Sequence, residues 1–357
     1  MKKTSKILVL QTHHLGDIIL ATPALKLLRK NFTEAEINLV VGNWNKQYID
    51  NFPFVDTIIY FDNPFNNRER YNIFYNIKII FNFLKEIRKE RYDLVIELSG
   101  CFIGQYYLPF LKSDYKIGQV NGLINIKTFS NIILNKKVIS GRRVNEIQRD
   151  IDVIKELEGM EVKEIPPLWY PANQEDEVEA EQILERRAIK DFVVVNPITS
   201  WHPREWPKER FAKVADWIIK NKDLDVIFVG TREEREKTQQ IINLIEAKNR
   251  NKSNNFAGLT TIKQTAALLK KAKLFLGNDS GIAHLTATTE TPAIVLFGPG
   301  DEKRWGHEKH IIVRRNISCY PCKQNLDKYK CTRGYSTCKV LQNIGVEGVI
   351  KEIKNLI

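Results

Sequence analysis

The sequence has no apolar run approaching the ~18 residues that a membrane-spanning helix requires. It opens with "MKKTSKILVL", a charged start followed by apolar residues, but the run stops at Gln11-Thr12-His13-His14 with no small-residue cleavage site after it. The expected location is therefore the cytoplasm. Short-period repeats and strong low-complexity tracts are missing, and only Asn/Lys-rich patches such as 248–255 stand out. Helix-turn-helix, zinc-finger and RNP signatures are missing too, and the aromatics form no stacking platform. Nucleic acid is therefore not an expected partner, although the formal net charge is +12.

Enough apolar material is present for a sizeable core: 357 residues at 43% hydrophobic and 10% aromatic fit a soluble globular chain of two domains. The positive charge then points to an anionic partner, such as a phosphate-bearing ligand or a lipid surface. Strand-like runs occur at 6–10, 37–41, 57–61 and 93–98, with helical periodicity over 18–30 and 71–91. Apolar strands alternating with helices read as βα units around a parallel sheet. The segment "EIPPLWYPANQEDEVEAE" (164–181) mixes prolines with an acidic run and reads as a domain link. Further strands are expected at 191–196, 225–230, 273–278 and 293–298. The expected fold class is α/β, two doubly wound halves.

One stretch interrupts this apolar pattern. "LGNDSGIAHLTA" (276–287) places Asn278, Asp279, Ser280, Gly281 and His284 directly after an apolar strand. A helix starting there would put Ser280 and Gly281 at its N-terminus, at the carboxyl end of a parallel strand. Ligands bind at that position in open α/β sheets, and free N–H groups with the helix dipole favour an anion. Asp279 suits a different contact, accepting hydrogen bonds from hydroxyls such as those of a sugar. The same residues also suit plain helix capping, with His284 a satisfied, half-buried histidine.

"NDSGIAHLTA" resembles the D-[ST]-G-x-x-H segment of glycosyltransferase family 9, the ADP-heptose:lipopolysaccharide heptosyltransferases. "LGDIILATPALKLLRKNF" (15–32) resembles the family's opening loop and first helix. "SWHPREWP" (200–207) resembles its donor-phosphate loop, "VGTREE" (229–234) its nucleoside-binding turn, and "LFGPGDEKRWG" (296–306) its late Gly-Pro turn. The order of these segments matches that of the family. The resemblance implies a GT-B fold, two Rossmann-like domains facing each other across a cleft. Residues 1–170 would bind the acceptor, residues 171–340 would bind the nucleotide-sugar donor, and the helix in 341–357 would pack back on the first domain. It also implies inverting transfer from ADP-heptose, with no cofactor required for catalysis, to a lipopolysaccharide-core or other glycan acceptor.

By this resemblance Asp17 is the catalytic base that removes the acceptor's hydroxyl proton. Gly16, His13 and His14 would lie against the acceptor. The chain departs from the family here, carrying "QTHHLGD" where relatives have Arg and small hydroxyl residues, and the acceptor's identity is open to that extent. The leaving diphosphate would be stabilised by Thr199, Ser200, Arg204 and the turn at Ser280 and Gly281. Relatives often have Lys in place of Arg204, and Arg keeps the charge while adding a bidentate fork. Glu234 would receive the nucleoside ribose, and Asp279 and His284 complete the donor set. Trp201 and Trp206 read as packing.

Two further features stand apart. "RERYNIFYNIKIIFNFLKEIRKER" (68–91) carries seven basic and three acidic residues around an apolar face of Ile73, Ile77, Ile80, Leu84 and Ile87. Its bland reading is a packed helix with solvated charges. The sharper reading brings Tyr71, Phe74, Tyr75 and Lys78 to an anionic glycolipid at the inner membrane face. Among five cysteines, Cys101 is alone, while Cys319, Cys322, Cys331 and Cys338 form C-x2-C-x8-C-x6-C. In a reducing compartment four such thiolates are a candidate structural zinc site, with reduced thiols as the alternative. Two other function classes share the architecture: a nucleotide-sugar 2-epimerase, which needs no acceptor, and a non-catalytic nucleotide-sugar binding protein.

Overall fold

The computed structural model describes residues 4–50, 52–61, 73–100, 107–120, 133–141, 143–320, 322, 331 and 337–357, with no side-chain description over 73–76. It divides into two units, Met1–Trp169 and Tyr170–Ile357.

The first unit holds strands β1 (Lys6–Gln11), β2 (Glu36–Gly42), β3 (Thr57–Phe61), β4 (Tyr92–Glu97), β5 (Ser113–Gln119) and β6 (Lys136–Val138). They form one parallel sheet in the order β3-β2-β1-β4-β5-β6. The inner strands are buried on both faces, so "KILVL" and "INLVV" read as continuous apolar runs rather than alternating ones. The helix Leu15–Asn31 follows β1 and is buried along most of its length, with eleven of its residues inaccessible. The helix Ile73–Ile87 turns Phe83 and Ile87 inward. Phe83 stacks within 4.1 Å of Phe61 and 5.4 Å of Tyr107 by ring centroids, contacts that fix the buried face. Ile77, expected on that face, is instead 57% exposed, and Phe81 beside it is 65% exposed.

The second unit repeats the plan with β7 (Phe192–Asn196), β8 (Asp225–Phe228), β9 (Ser253–Asn255), β10 (Leu274–Asn278), β11 (Ala293–Leu296) and β12 (His310–Val313). Its order is β12-β11-β10-β7-β8-β9, again parallel. Counted from the first strand of each unit, both sheets run 3-2-1-4-5-6, the doubly wound order. In each, the order reverses where the unit's first and fourth strands lie side by side, β1 with β4 and β7 with β10.

One expectation about connections is corrected. The acidic half of the presumed link is a helix, Gln174–Glu185, because Asn173 and Asp176 form a reciprocal capping box and Glu175, Asp176 and Glu177 line its positive first turn. The terminal helix Val346–Leu356 packs within the second unit. Val349 and Ile353 are fully buried in that unit's core among Phe211, Ile218 and Leu341.

Candidate functional site

Both switch points carry polar loops. In the first unit, β1 ends at Gln11 and the chain enters the helix at Leu15, so His13 and His14 occupy the crevice loop and Asp17 the first turn. Asp17 Oδ2 accepts the His14 N–H at 3.2 Å, while Oδ1 lies 3.6 Å from His13 Nδ1. Asp17 thus caps its own helix with one oxygen and faces an imidazole with the other. The His13 carbonyl accepts hydrogen bonds from Trp44 Nε1 and Asn45 Nδ2, both at 3.0 Å, which fixes the loop. The His14 ring tilts toward Trp44 at 6.1 Å, and Gly16 is buried in the first turn.

Below this loop the first unit buries a charged layer that sequence reading passed over. Glu97, Gln119, Glu146, Arg149 and Asp150 are all at most 3% exposed. Arg149 Nη2 and Nε donate to Gln119 Oε1 at 2.8 and 3.0 Å, and Gln119 Nε2 donates to Asp150 Oδ1 at 3.3 Å. Glu146 stands 3.6 Å from Arg149. Burial pushes the Asp150 carboxyl well above the usual carboxylate range, and the neighbouring Glu146, Asp17 and Glu97 add to it. Burial likewise raises Glu97 to about 7, against the pull of the His13 charge and the Gly100 N–H. Gly100 adopts φ +59° here, and a Cβ would stand 2.9 Å from Gln119 Oε1, so both backbone angle and space call for glycine.

In the second unit, β7 ends at Asn196 and β10 at Asn278, and these two side chains tie the loops together. Asn278 Oδ1 accepts the Trp206 N–H at 3.0 Å and its Nδ2 donates to the Pro197 carbonyl at 2.8 Å. Ser280 Oγ donates to Asn196 Oδ1 at 2.9 Å and accepts the Ala283 N–H at 3.4 Å. Ser280 is therefore the N-cap of Gly281–Thr286, a helix of six residues whose dipole is correspondingly small. Arg204 Nη1 lies 3.4 Å from Asp279 Oδ2, with its guanidinium 5.4 Å over the Trp201 ring. Gly300 brings the late Gly-Pro turn against Asp279, where a Cβ would meet Oδ2 at 2.4 Å. Trp206 is buried against Phe211 at 5.1 Å, as packing requires.

The remaining donor-site candidates gather on the same side. Thr199 donates its N–H to Glu205 Oε1 at 3.1 Å, and Ser200 follows it in the loop. Glu234 Oε2 accepts the Thr231 N–H at 2.8 Å. Burial raises the Glu234 carboxyl, and the charge of nearby Glu205 works in the same direction. His284 Nδ1 lies 2.9 Å from His307 Nε2, and the His307 and His310 rings stand 4.9 Å apart. Burial lowers both His307 and His310 to about 3, so this pair is neutral at ordinary pH. His307 and His310 were not legible as a group with His284 because His307 stands 23 positions further along the chain.

The cysteine expectation is not met among the described residues. No disulfide joins Cys319, Cys322, Cys331 or Cys338, and among the described residues no group of three or more His, Cys, Asp or Glu is placed to hold a metal. Cys338 precedes the short helix Lys339–Gln342, and burial raises its thiol. Cys101 and Tyr71 lie outside the described residues, as do the side chains of Phe74 and Tyr75.

Two Rossmann-like units in one chain, each with its polar loops at the switch point, define the GT-B class of α/β folds. The chain belongs to glycosyltransferase family 9 (heptosyltransferase), whose family model matches residues 80–333. It is 25% identical over 353 residues to lipopolysaccharide heptosyltransferase 3 of Escherichia coli K12, covering 96% of this chain and 95% of that one. A family 9 glycosyl transferase from Veillonella parvula superposes with TM-score 0.77 at 23% identity, covering 100% of this chain and 98% of that one. The ADP-heptose lipopolysaccharide heptosyltransferase II of E. coli gives TM-score 0.75 at 18% identity, covering 98% of each chain. These two structures share the fold seen here.

Proposed function

We propose that this glycosyltransferase moves a heptose from ADP-heptose to a hydroxyl of a lipopolysaccharide core, with inversion at the anomeric carbon and without a catalytic metal. The observation that carries the reading is the placement of Asp17 and the Arg204–Asp279 pair at the switch points of their respective sheets. A carboxylate in the first unit and a held guanidinium in the second are the two groups this chemistry needs. The names of the relatives support the sugar and the acceptor class.

In this reading the first unit takes the acceptor and the second the donor. Asp17 removes the hydroxyl proton as that oxygen attacks the anomeric carbon from the face opposite the leaving group, which inverts the centre. The diphosphate departs with the bonding pair, and Arg204, with the hydroxyls and N–H groups of Thr199, Ser200 and the 280–281 turn, takes up its charge. Asp279 aims Arg204, and Glu234 receives the ribose. His13, His14 and Gly16 border the acceptor, while His284 borders the donor sugar.

A glycolipid acceptor would be met at a membrane surface. The helix Ile73–Ile87 offers Ile77 and Phe81 outward, with Lys78, Lys85, Arg88, Lys89 and Arg91 exposed on or just after it. That composition suits an anionic bilayer. No helix among the described residues is long and apolar enough to cross a membrane.

The test is incubation of purified protein with ADP-β-heptose and a heptose-deficient core oligosaccharide, in the presence of a chelator. The expected result is stoichiometric ADP and an α-linked heptose by NMR. A β-linked product, or activity abolished by the chelator and restored by a divalent cation, would overturn the inverting, metal-free reading.

A further inference from the structure

The segment after the late Gly-Pro turn reaches back to the stretch that holds Asp279 and His284. Asp301 caps the short helix Glu302–Trp305, its Oδ1 accepting the Lys303 N–H at 3.1 Å. The helix closes at Gly306, whose N–H donates to the Glu302 carbonyl at 2.8 Å. A Cβ at Gly306 would stand 2.4 Å from that carbonyl oxygen and 2.5 Å from Ile312 Cδ1, so the close passage of the chain calls for glycine. His307 follows at once, and its carbonyl accepts the His310 N–H at 3.1 Å as β12 begins. Pairing of β12 with β11 starts at His310, which ties the turn to the sheet. His307 is thereby set against the helix Gly281–Thr286: its Nε2 lies 2.9 Å from His284 Nδ1, with the two rings edge-on at 5.1 Å and 73°. Trp305 flanks the same His284 ring at 6.4 Å.

Two ring nitrogens at 2.9 Å share one proton, so one imidazole donates and the other accepts. A neutral imidazole by itself favours the tautomer protonated on Nε2, and a hydrogen bond at one ring nitrogen sets the state of the other. With both rings neutral, both hold the favoured tautomer when His307 donates its Nε2–H to the Nδ1 lone pair of His284. The reverse direction would put both rings in the less favoured form. Donation by His307 leaves His284 with its own proton on Nε2.

We infer that His307 is a positioning residue for the donor sugar, acting through His284: it fixes the plane and tautomer of that ring so that Nε2–H is the group offered to a sugar hydroxyl oxygen. The inference rests on the transferase reading above, in which His284 borders the sugar while Arg204, Glu234 and the 199–200 loop take the nucleotide. Loss of the His307 contact therefore acts on the increment by which ADP-heptose binds more tightly than ADP. A role in packing alone would act on both ligands, because the same turn brings Gly300 against Asp279, the partner of Arg204. Sequence reading closed the Gly-Pro motif at Gly306, one residue short of His307.

The experiment compares wild type with His307→Leu and His307→Gln by calorimetry and by nitrogen NMR of the imidazoles. Leucine removes the donor, and ADP-heptose binding is expected to weaken about tenfold while ADP affinity stays within about twofold. Glutamine returns an N–H to the position of Nε2, and ADP-heptose affinity is expected to recover to within about threefold of wild type. In the spectra, His284 is expected to carry its proton on Nε2 in wild type and in His307→Gln, and to divide it between both nitrogens in His307→Leu. Equal losses for ADP and ADP-heptose, unchanged binding of both, or no recovery with glutamine would overturn the inference. If His307→Leu does not fold, the wild-type spectrum decides, since His284 protonated on Nδ1 contradicts the proposed direction of donation. Wild type that binds neither ligand, with His284 still protonated on Nε2, would overturn the transferase reading and leave the His307–His284 contact standing.

Discussion

Arg204 and Asp279 show how one pair sets a site's charge. Asp279 is 3% exposed, and a carboxylate so buried is retained when a cation stands beside it. Arg204 keeps part of its surface open and can turn its remaining donors to a diphosphate. Arg204→Gln is expected to weaken ADP binding about tenfold, a loss in line with one charge-assisted contact, as read by calorimetry. Asp17→Asn, by contrast, is expected to leave ADP affinity within about twofold and to cut transfer at least a hundredfold, because its carboxylate is proposed to act on the acceptor. Unequal treatment of binding and turnover by these two variants checks the division of labour.

At the scale of elements, the helix Gly281–Thr286 and the strand β12 bring His284, His307 and His310 together in a largely buried cluster. The folded-state values of His307 and His310 lie near 3, below their ordinary 6.5. Their stabilisation is therefore complete above 6.5 and is lost as pH falls toward 3, because the unfolded chain binds the protons first. His307→Asn is expected to reduce that acid sensitivity, measured as the urea midpoint between pH 7 and 4. Glu97 has the opposite sign: its raised value favours the folded state below about 4.5, and the advantage is lost as pH rises through about 7.

On the basic helix, Ile77→Ser with Phe81→Ser is expected to leave the fold unchanged and to weaken binding to anionic vesicles severalfold. Both side chains are exposed, so burial supplies no competing explanation.

Much of the element pattern was legible because buried parallel strands are unbroken apolar runs. "KILVL", "FVVVN" and "AIVLF" could be read on sight. Strands β6 "KKV" and β9 "SNN" sit at sheet edges and carry no such signal, and short β12 "HIIV" offers only four residues. The capping box at Asn173 and Asp176 was available in the sequence but was masked by the acidic run it opens. Glu97 drew no comment because it sits inside the apolar run 93–98, where one carboxylate does not disturb the strand signal.

For the whole molecule, the same doubly wound order occurs in each unit, and in each the motif residues stand at the point of reversal. That coincidence explains why short segments far apart in the chain were informative: "HHLGD" and "NDSGIAH" follow the strands β1 and β10, each one member of a switch-point pair. A net charge of +12 fits a protein whose proposed ligands are a diphosphate and an anionic glycolipid. The proposed function assigns donor recognition to the second unit and proton removal to the first. The most direct test is calorimetric titration of ADP, GDP, UDP and CMP into wild type and Asp17→Asn. The account predicts selective ADP binding of similar strength in both proteins. Binding of another nucleotide in preference to ADP, or of none, would contradict it.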